Sequence, residues 1–489
     1  MGIELIVDMA AGGVGDRIAL GRRADGLTFT ELDRVAAGGA VVLRSYGADS
    51  VAYVGLNGPV LPALLFAAAR AGIPLTPLNY RLSGDQLREL LAELKHPYVV
   101  ADRAFTTAVS ATTLSEDWLD LALRSEPAAP VAVDDSDAAV VLFTSGTTSK
   151  PKGVVLRHSH LLSYVLETVE FGGAGDEDAV LVSVPPYHIA GIGSVLSNLY
   201  AGRRMTYLPD FTARGWLDLV RDERVTHAMV VPTMLARLVD ELAGATADTP
   251  TLRSIAYGGA RVAPTVLRTA LSAFPHVDFV NAYGLTETSS TIAVLGPDDH
   301  RAALAGEPVA LRRLASVGRM VPGVECQIRS EHGAPLGADQ TGEIWVRGAQ
   351  VSGEYQGIGT VLDSEGWFPT RDRGRLDGQG YLFVDGRCDD TIIRGGENIA
   401  PAEIEDVLVE HPAVDQVAVL GAPDDEWGER IVAVVVLAPG TDPDPHDLRE
   451  FVRARLRSSR TPDDVVFRSE LPYTATGKVL RRELAREIG

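Results

Sequence analysis

The chain has 489 residues, too many for one ordinary core, so about two to four domains or subdomains are expected. A hydrophobic fraction of 46% with 23% charged residues is that of a soluble globular protein. The net charge of −21 argues against general binding to nucleic acid or an anionic membrane, so an anionic substrate must be held by a local positive site. Cys326 and Cys388 form neither a CxxC pattern nor a metal-ligand spacing, and a reduced, cytoplasmic protein is the simplest reading. Glu4 and Asp8 interrupt the N-terminal apolar run and spoil a secretory signal. The longest apolar stretch, Val60 to Leu75, contains Arg70 and is too short to span a bilayer, so no integral membrane segment is expected.

In chain order, Leu27 to Leu32 reads as a strand end running into a helix, with Thr30 as its N-cap. Val51 to Leu56 is a buried strand, residues 61–72 an Ala-rich helix, and a second helix ends near Lys95 before the strand Tyr98 to Ala101. Residues 104–136 are weakly patterned and acidic and read as a surface connection. The apolar run Ala138 to Phe143 is a strand, followed by a polar segment leading into a helix. Further strands at Val180 to Pro185, Ala228 to Thr233, Ser254 to Tyr257 and Phe279 to Tyr283 each break into small or polar residues. That is expected when ligands bind beyond the carboxyl ends of a parallel sheet. From about 315 the pattern shifts to Gly-rich turns and short β runs, and the last hundred residues mix strands and helices.

The predicted class is α/β. A large N-terminal domain over 1–388, made of βαβ-type sheets with helices, includes a small β subdomain at about 315–385. A small mobile α+β domain follows over 389–489.

The stretch Thr144-Ser145-Gly146-Thr147-Thr148-Ser149-Lys150-Pro151-Lys152-Gly153 has the parts of a polyphosphate cradle. Glycines let the backbone approach closely, hydroxyls donate, and two lysines supply positive charge. Such clusters are more often plain surface turns. Here only four lysines occur in the whole chain, at 95, 150, 152 and 478, and two of them fall in this one loop. The spacing is not that of a GxxxxGK[ST] P-loop.

Six segments stand out in order: the loop 144–153, Tyr283-Gly284-Leu285-Thr286-Glu287, Asp372 within Thr370-Arg371-Asp372, Gly386-Arg387, Gly395-Gly396-Glu397-Asn398-Ile399, and Thr476-Gly477-Lys478. Together they resemble the motifs of the adenylate-forming enzymes, and among these the acyl-CoA synthetases most of all. That superfamily also contains peptide-synthetase adenylation domains and luciferases, and the resemblance covers essentially the whole chain.

The resemblance implies two half-reactions. A carboxylate attacks the α-phosphate of ATP and releases pyrophosphate; the small domain then rotates and a thiol, usually of coenzyme A, displaces AMP. By the same resemblance, Thr144, Ser145, Gly146, Thr147, Thr148 and Lys152 hold phosphates, and Glu287 binds Mg²⁺ beside the Thr286 hydroxyl. Gly258, Gly259 and Ala260, with Asn281, Ala282, Tyr283 and Gly284, surround the adenine. Asp372 and Arg387 take the ribose. Lys478 bridges carboxylate and α-phosphate. Read alone, Lys478 would be a solvated surface lysine and Asp372 a surface charge; the resemblance reverses both readings. Asp389 matches the hinge, and Gly395, Gly396 and Glu397 fall with the hinge and CoA segment.

His188 resembles the histidine lining the acyl entrance, with a satisfied structural histidine as the alternative. The resemblance extends the acyl pocket to Gly191, Ile192, Val195, Val231, Gly258, Gly284, Ser289 and Ile292, which suits an aliphatic or aryl acid. No acid near His188 is available to pair with a substrate ammonium, so a carboxylic acid without an α-amino group is favoured. Arg261 and Arg371 depart from the proline and glycine common in the family, and Ser149 from a loop glycine. The expected function is an ATP-dependent acid:CoA ligase acting on a small carboxylic acid, ATP and CoA. The alternatives are an adenylating enzyme that delivers its acyl group to a carrier protein or another nucleophile, and a non-catalytic binding relative. Oligomeric state stays open, a homodimer included.

Overall fold

Thr28 opens the first long helix, Phe29–Tyr46: its side chain accepts from the Glu31 backbone while Glu31 reaches back to the Thr28 N–H, and Gly47 closes the helix at φ 76°. This reciprocal S/T-x-x-E cap corrects the expectation of Thr30, which lies inside the first turn. The next helix, Val60–Ala71, is buried along its whole length. Arg70 is tolerated there because its guanidinium pairs with Asp8 and Asp33. The computed structural model describes residues 1–128, 131–144, 151–394, 397–424, 427–456, 458–474 and 478–488.

Among the described residues, one sheet has nine strands. From one edge these are Arg319–Met320, Ser290–Leu295, Asp278–Leu285, Ser254–Gly258, His227–Val230, Ala179–Val182, Arg204–Tyr207, Ile18–Leu20 and Leu27–Thr28. Its central strands run parallel, and both edges are antiparallel. A second sheet of eight strands is centred on Ser50–Val54, Leu75–Pro77, Ala138–Thr144 and Lys152–Arg157. One hydrophobic core runs under both, from Ile6 and Phe29 through Phe66 and Trp118 to Tyr257 and Phe279.

Two local expectations are corrected. Within 104–136 the chain forms the helix Ser115–Arg124, whose acidic Glu116, Asp117 and Asp120 hide an inward pair, Trp118 and Ala122, spaced i, i+4. After the candidate phosphate loop the chain first forms a strand, Lys152–Arg157, pairing antiparallel with Ala138–Thr144 in a register that sets Thr144 opposite Lys152, and only then the expected helix, His158–Thr168.

Val324–Arg329, Gly342–Gly348, Phe368–Leu376 and Leu382–Arg387 form a four-stranded antiparallel sheet with its own core, in which Ile292 is packed. Past Cys388 a five-stranded sheet, with Gly428–Leu437 at its centre, carries the helices Pro401–Leu408, Pro445–Arg453 and Arg481–Ile488 over two separate cores. No helix is long and apolar enough to cross a membrane among the described residues.

Candidate active site

The parallel strands of the nine-stranded sheet end side by side. Their register sets Val230 against Tyr257, Asn281 against Tyr257, and Ala282 against Gly258, so Val231, Gly258 to Ala260 and Asn281 to Gly284 meet at one edge. Two glycines are forced by this packing: a Cβ on Gly258 would lie 2.1 Å from the Ala282 carbonyl oxygen, and one on Gly284 would lie 1.8 Å from that of Ser290. Asn281 Nδ2 donates to the Ser316 carbonyl at 3.5 Å.

The four-stranded sheet brings Asp372 to this edge. Asp372 is 7% exposed and registers opposite Arg387. Arg387 Nη1 donates to Oδ1 at 2.9 Å and the Tyr283 hydroxyl donates to Oδ2 at 2.6 Å. Burial, reinforced by the Asp372 charge, raises the Tyr283 pKa well above its ordinary value, so the phenol stays a donor. Arg371 sits at φ 61°, the left-handed region that a glycine adopts without strain, and pairs with Asp389 at 2.9 Å.

Thr286, Glu287 and Thr288 form a 3₁₀ turn followed by two non-glycine residues at positive φ, Ser289 at 56° and Ser290 at 119°. This strained loop is pinned from several sides. The Thr288 hydroxyl accepts from Leu285 N at 3.0 Å and has its one proton within reach of the carbonyl oxygens of Leu285 and Ser290, and the buried Gln350 donates to those of Thr288 at 2.9 Å and Thr291 at 3.0 Å. The Glu287 carbonyl accepts from Ser352 N at 2.8 Å. Its carboxylate Oε1 accepts from the Tyr355 hydroxyl at 2.8 Å, and the Lys152 ammonium stands 5.7 Å from the centre of the same tyrosine ring. Tyr355 thus links the end of the candidate phosphate loop to Glu287. Thr144 donates to the Lys152 carbonyl at 3.5 Å; Ser145, Gly146, Thr147, Thr148, Ser149 and Lys150 lie outside the described residues, as do Gly395, Gly396 and the side chain of Glu397.

His188 is the N-cap of the helix Ile189–Tyr200, accepting from Ala190 N at 3.2 Å through Nδ1, which leaves the proton on Nε2. Burial, helped by the Lys478 charge, lowers its pKa to about 4, so the ring is neutral near pH 7. Gly191 in this helix lets it approach the Pro185 carbonyl, and Ile192 and Val195 are buried below it. Ser289 is fully buried as well, Val231 almost so.

Lys478 arrives from the far end of the chain. Its backbone pairs with Thr474, and its ammonium enters the cleft that holds Asp372, Glu287, Arg387 and His188. As a residue it stays open to solvent along the cleft, yet enough protein surrounds the amine for burial to lower its pKa, against the pull of Asp372 and Glu287. Lys478, Arg387 and Lys152 therefore make a local cationic site in an acidic chain. Among the described residues no group of three or more His, Cys, Asp or Glu could hold a metal. Glu287 is a single hard-oxygen donor, which fits Mg²⁺, an ion held by one or two carboxylates with phosphate oxygens completing its shell.

Sequence reading brought Glu287, Asp372, Arg387, Tyr283, His188 and Lys478 to one place, and missed Tyr355 and Gln350. Neither lies in a segment with a local signal; their partners stand 68 and 62 residues away in the chain. Arg261, open to either a nucleotide or a substrate contact on sequence alone, pairs instead with Asp406.

The sequence profile of the AMP-binding enzyme family matches residues 7–356, and that of the AMP-binding enzyme C-terminal domain matches 403–478. The chain is 35% identical over 461 residues to an indoleacetate–CoA ligase of Aromatoleum aromaticum, covering 90% of this chain and 88% of the relative. It is 36% identical over 478 residues to a feruloyl-CoA synthase of an Amycolatopsis species, covering 95% and 94%. The fold superposes on ATP-bound MatB of Rhodopseudomonas palustris with a TM-score of 0.89 at 27% identity, over 100% of this chain and 99% of that one. A buried carboxylate network at the ends of parallel strands, a carboxylate turn and a C-terminal lysine brought to both agree with these matches: the chain belongs to the AMP-binding, adenylate-forming enzyme family.

Proposed function

We propose that the protein is an ATP-dependent acid:CoA ligase that activates a carboxylic acid lacking an α-amino group. The reading is carried by one observation: the Lys478 ammonium shares a cleft with Glu287, Asp372 and His188, from which it is separated by up to 290 residues of sequence. A point charge there suits the joining of two anions, a substrate carboxylate and an α-phosphate. In the first half-reaction a carboxylate oxygen bonds to the α-phosphorus and the bond to the pyrophosphate oxygen breaks. In the second, the CoA thiol gives its proton to water, its sulfur bonds to the acyl carbon, the carbon–oxygen bond to AMP breaks, and AMP leaves with that electron pair.

The residues divide this work. Asp372, oriented by Tyr283 and Arg387, has lone pairs to accept from both ribose hydroxyls. Gly258 to Ala260 offer backbone against which a base can lie. Glu287 would hold Mg²⁺ in the orientation that Tyr355 sets, and Lys152 with the 144–153 loop would hold the phosphates. Mg²⁺, when bound, neutralises phosphate charge and draws electron density from the reacting phosphorus. Neutral His188 and the uncharged helix Ile189–Tyr200 border the acyl side, which offers no carboxylate to a substrate ammonium. Residues 389–489 act as a unit that moves between half-reactions, with Asp389 at the hinge. The relatives that act on indoleacetate and ferulate favour an aryl-containing acid.

The test is acid-dependent pyrophosphate exchange with indole-3-acetate, ferulate, benzoate and palmitate, then thioester formation with free CoA and with a phosphopantetheinylated carrier. Exchange with an aryl acid and transfer to free CoA are expected. No acid-dependent exchange sinks the reading; transfer to the carrier alone reassigns the acceptor.

A further inference from the structure

Arg261 directly follows the Gly258-Gly259-Ala260 segment at the mouth of the cleft, and its guanidinium pairs with Asp406 of the helix Pro401–Leu408. On the same helix Glu405 takes Arg481 at 2.6 Å. Arg481 begins the helix Arg481–Ile488, three residues after Lys478, and also faces Asp390 at 3.7 Å. A connected path therefore runs from the strand ends that frame the site, through Asp406 and Glu405 on one turn of helix, to the segment that delivers Lys478. Asp385, on the four-stranded sheet and paired with Arg375, lies near enough to Arg261 for their charges to interact.

We propose that Arg261 is a positioning residue of the adenylation step: it clasps the helix Pro401–Leu408 and so holds the C-terminal unit where Lys478 reaches the cleft. This rests on the reading of the protein as a ligase whose C-terminal unit moves. Lys478 must enter for adenylation and leave for thiol attack, so the clasp has to be weak. It is: Arg261 is 42% and Asp406 36% exposed, and a pair so open shifts a two-state population about three- to fivefold, about 1 kcal/mol. A buried pair would arrest the cycle in its first half.

The test compares R261A, R261D and the exchanged pair R261D/D406R in the full chain. Pyrophosphate exchange is measured with the four acids named above, and CoA transfer is measured from the chemically prepared adenylate of whichever acid is accepted. The single variants should exchange about three- to fivefold more slowly while CoA transfer from the adenylate is unchanged or faster, and the exchanged pair should recover exchange. A second readout needs no substrate: fluorescence energy transfer between dyes on Leu121→Cys and Glu470→Cys, with both native cysteines replaced by serine. The singles should add a second distance population that the exchanged pair removes. Equal losses in both half-reactions, an unchanged single population, or an exchanged pair no better than R261D overturns the proposal. If the unaltered protein exchanges with none of the acids, the ligase reading fails, while the dye distances still decide for or against the clasp.

Discussion

Tyr283→Phe isolates one hydrogen bond at the centre of the site. The hydroxyl donates to Asp372 Oδ2 at 2.6 Å, and Asp372 is only 7% exposed, so water cannot take its place without rearrangement. A hydrogen bond to a charged group contributes roughly 1.5–3 kcal/mol net. Arg387 continues to neutralise Oδ1, which keeps the expected loss at about 2 kcal/mol, well below that of stranding the charge. The freed carboxylate oxygen also turns more easily, so the ribose contact loosens and the ATP KM rises about tenfold, or about 1.4 kcal/mol. Urea unfolding followed by tryptophan fluorescence reads the first effect as a lower midpoint at unchanged slope. Steady-state pyrophosphate exchange reads the second. A midpoint and an ATP KM both equal to those of the unaltered protein would refute the reasoning, because the hydroxyl would then have no part in holding Asp372.

Lys478→Ala should slow pyrophosphate exchange about 100-fold or more and leave CoA transfer from a preformed acyl-adenylate intact, as single-turnover assays of the two half-reactions can show. Tyr355→Phe frees Glu287 Oε1, and the Mg²⁺ concentration for half-maximal exchange should rise about tenfold, measured by titration at saturating ATP. Gly284→Ala places a Cβ 1.8 Å from the Ser290 carbonyl oxygen, and loss of more than about 3 kcal/mol, or failure to accumulate as soluble protein, is expected. His158, fully buried and accepting from Ile3 N, has its pKa lowered to about 4 by burial. Between pH 6.5 and 4 the unfolded chain therefore binds a proton there that the folded chain does not. Its contribution is complete above pH 6.5 and is lost as pH falls toward 4; His158→Gln should flatten the stability profile in that window by about one proton.

The strands that frame the site could be read in advance from short apolar stretches that give way to small, polar or proline residues: 179–182 runs into Ser183, 227–230 is followed by Val231 and Pro232, 254–258 ends in Gly258, and 278–285 is followed by Thr286 and Glu287. The helix Ser115–Arg124 escaped notice because Glu116, Asp117, Asp120 and Arg124 mask an inward face made of Trp118 and Ala122 with the partly buried Leu119 and Leu123 beside them. Tyr355 was illegible for another reason. A tyrosine in a two-residue strand between glycines has no pattern of its own, and its meaning comes from a pairing with the strand Lys152–Arg157 and a hydroxyl contact to Glu287, both set only by tertiary packing. Arg371 shows the converse: the sequence flagged a residue where glycine is common, and the backbone at φ 61° agrees, while the compensating ion pair with Asp389 was visible only in three dimensions.

The distribution of lysine has a practical side. Of 45 basic residues only four are lysines, and three of these, Lys150, Lys152 and Lys478, fall in the two segments that carry the proposed phosphate-binding and catalytic lysines, while Lys95 sits apart on the surface beside Asp49. A reagent that acylates primary amines at neutral pH attacks only the uncharged base, and the lowered pKa of Lys478 enriches that form. In most proteins such a reagent decorates the surface at random. Here the amines are few: the exposed N-terminal amine and Lys95 compete with the lysines of the proposed site, and the same scarcity leaves few amines through which the enzyme could be tethered to a support without blocking it.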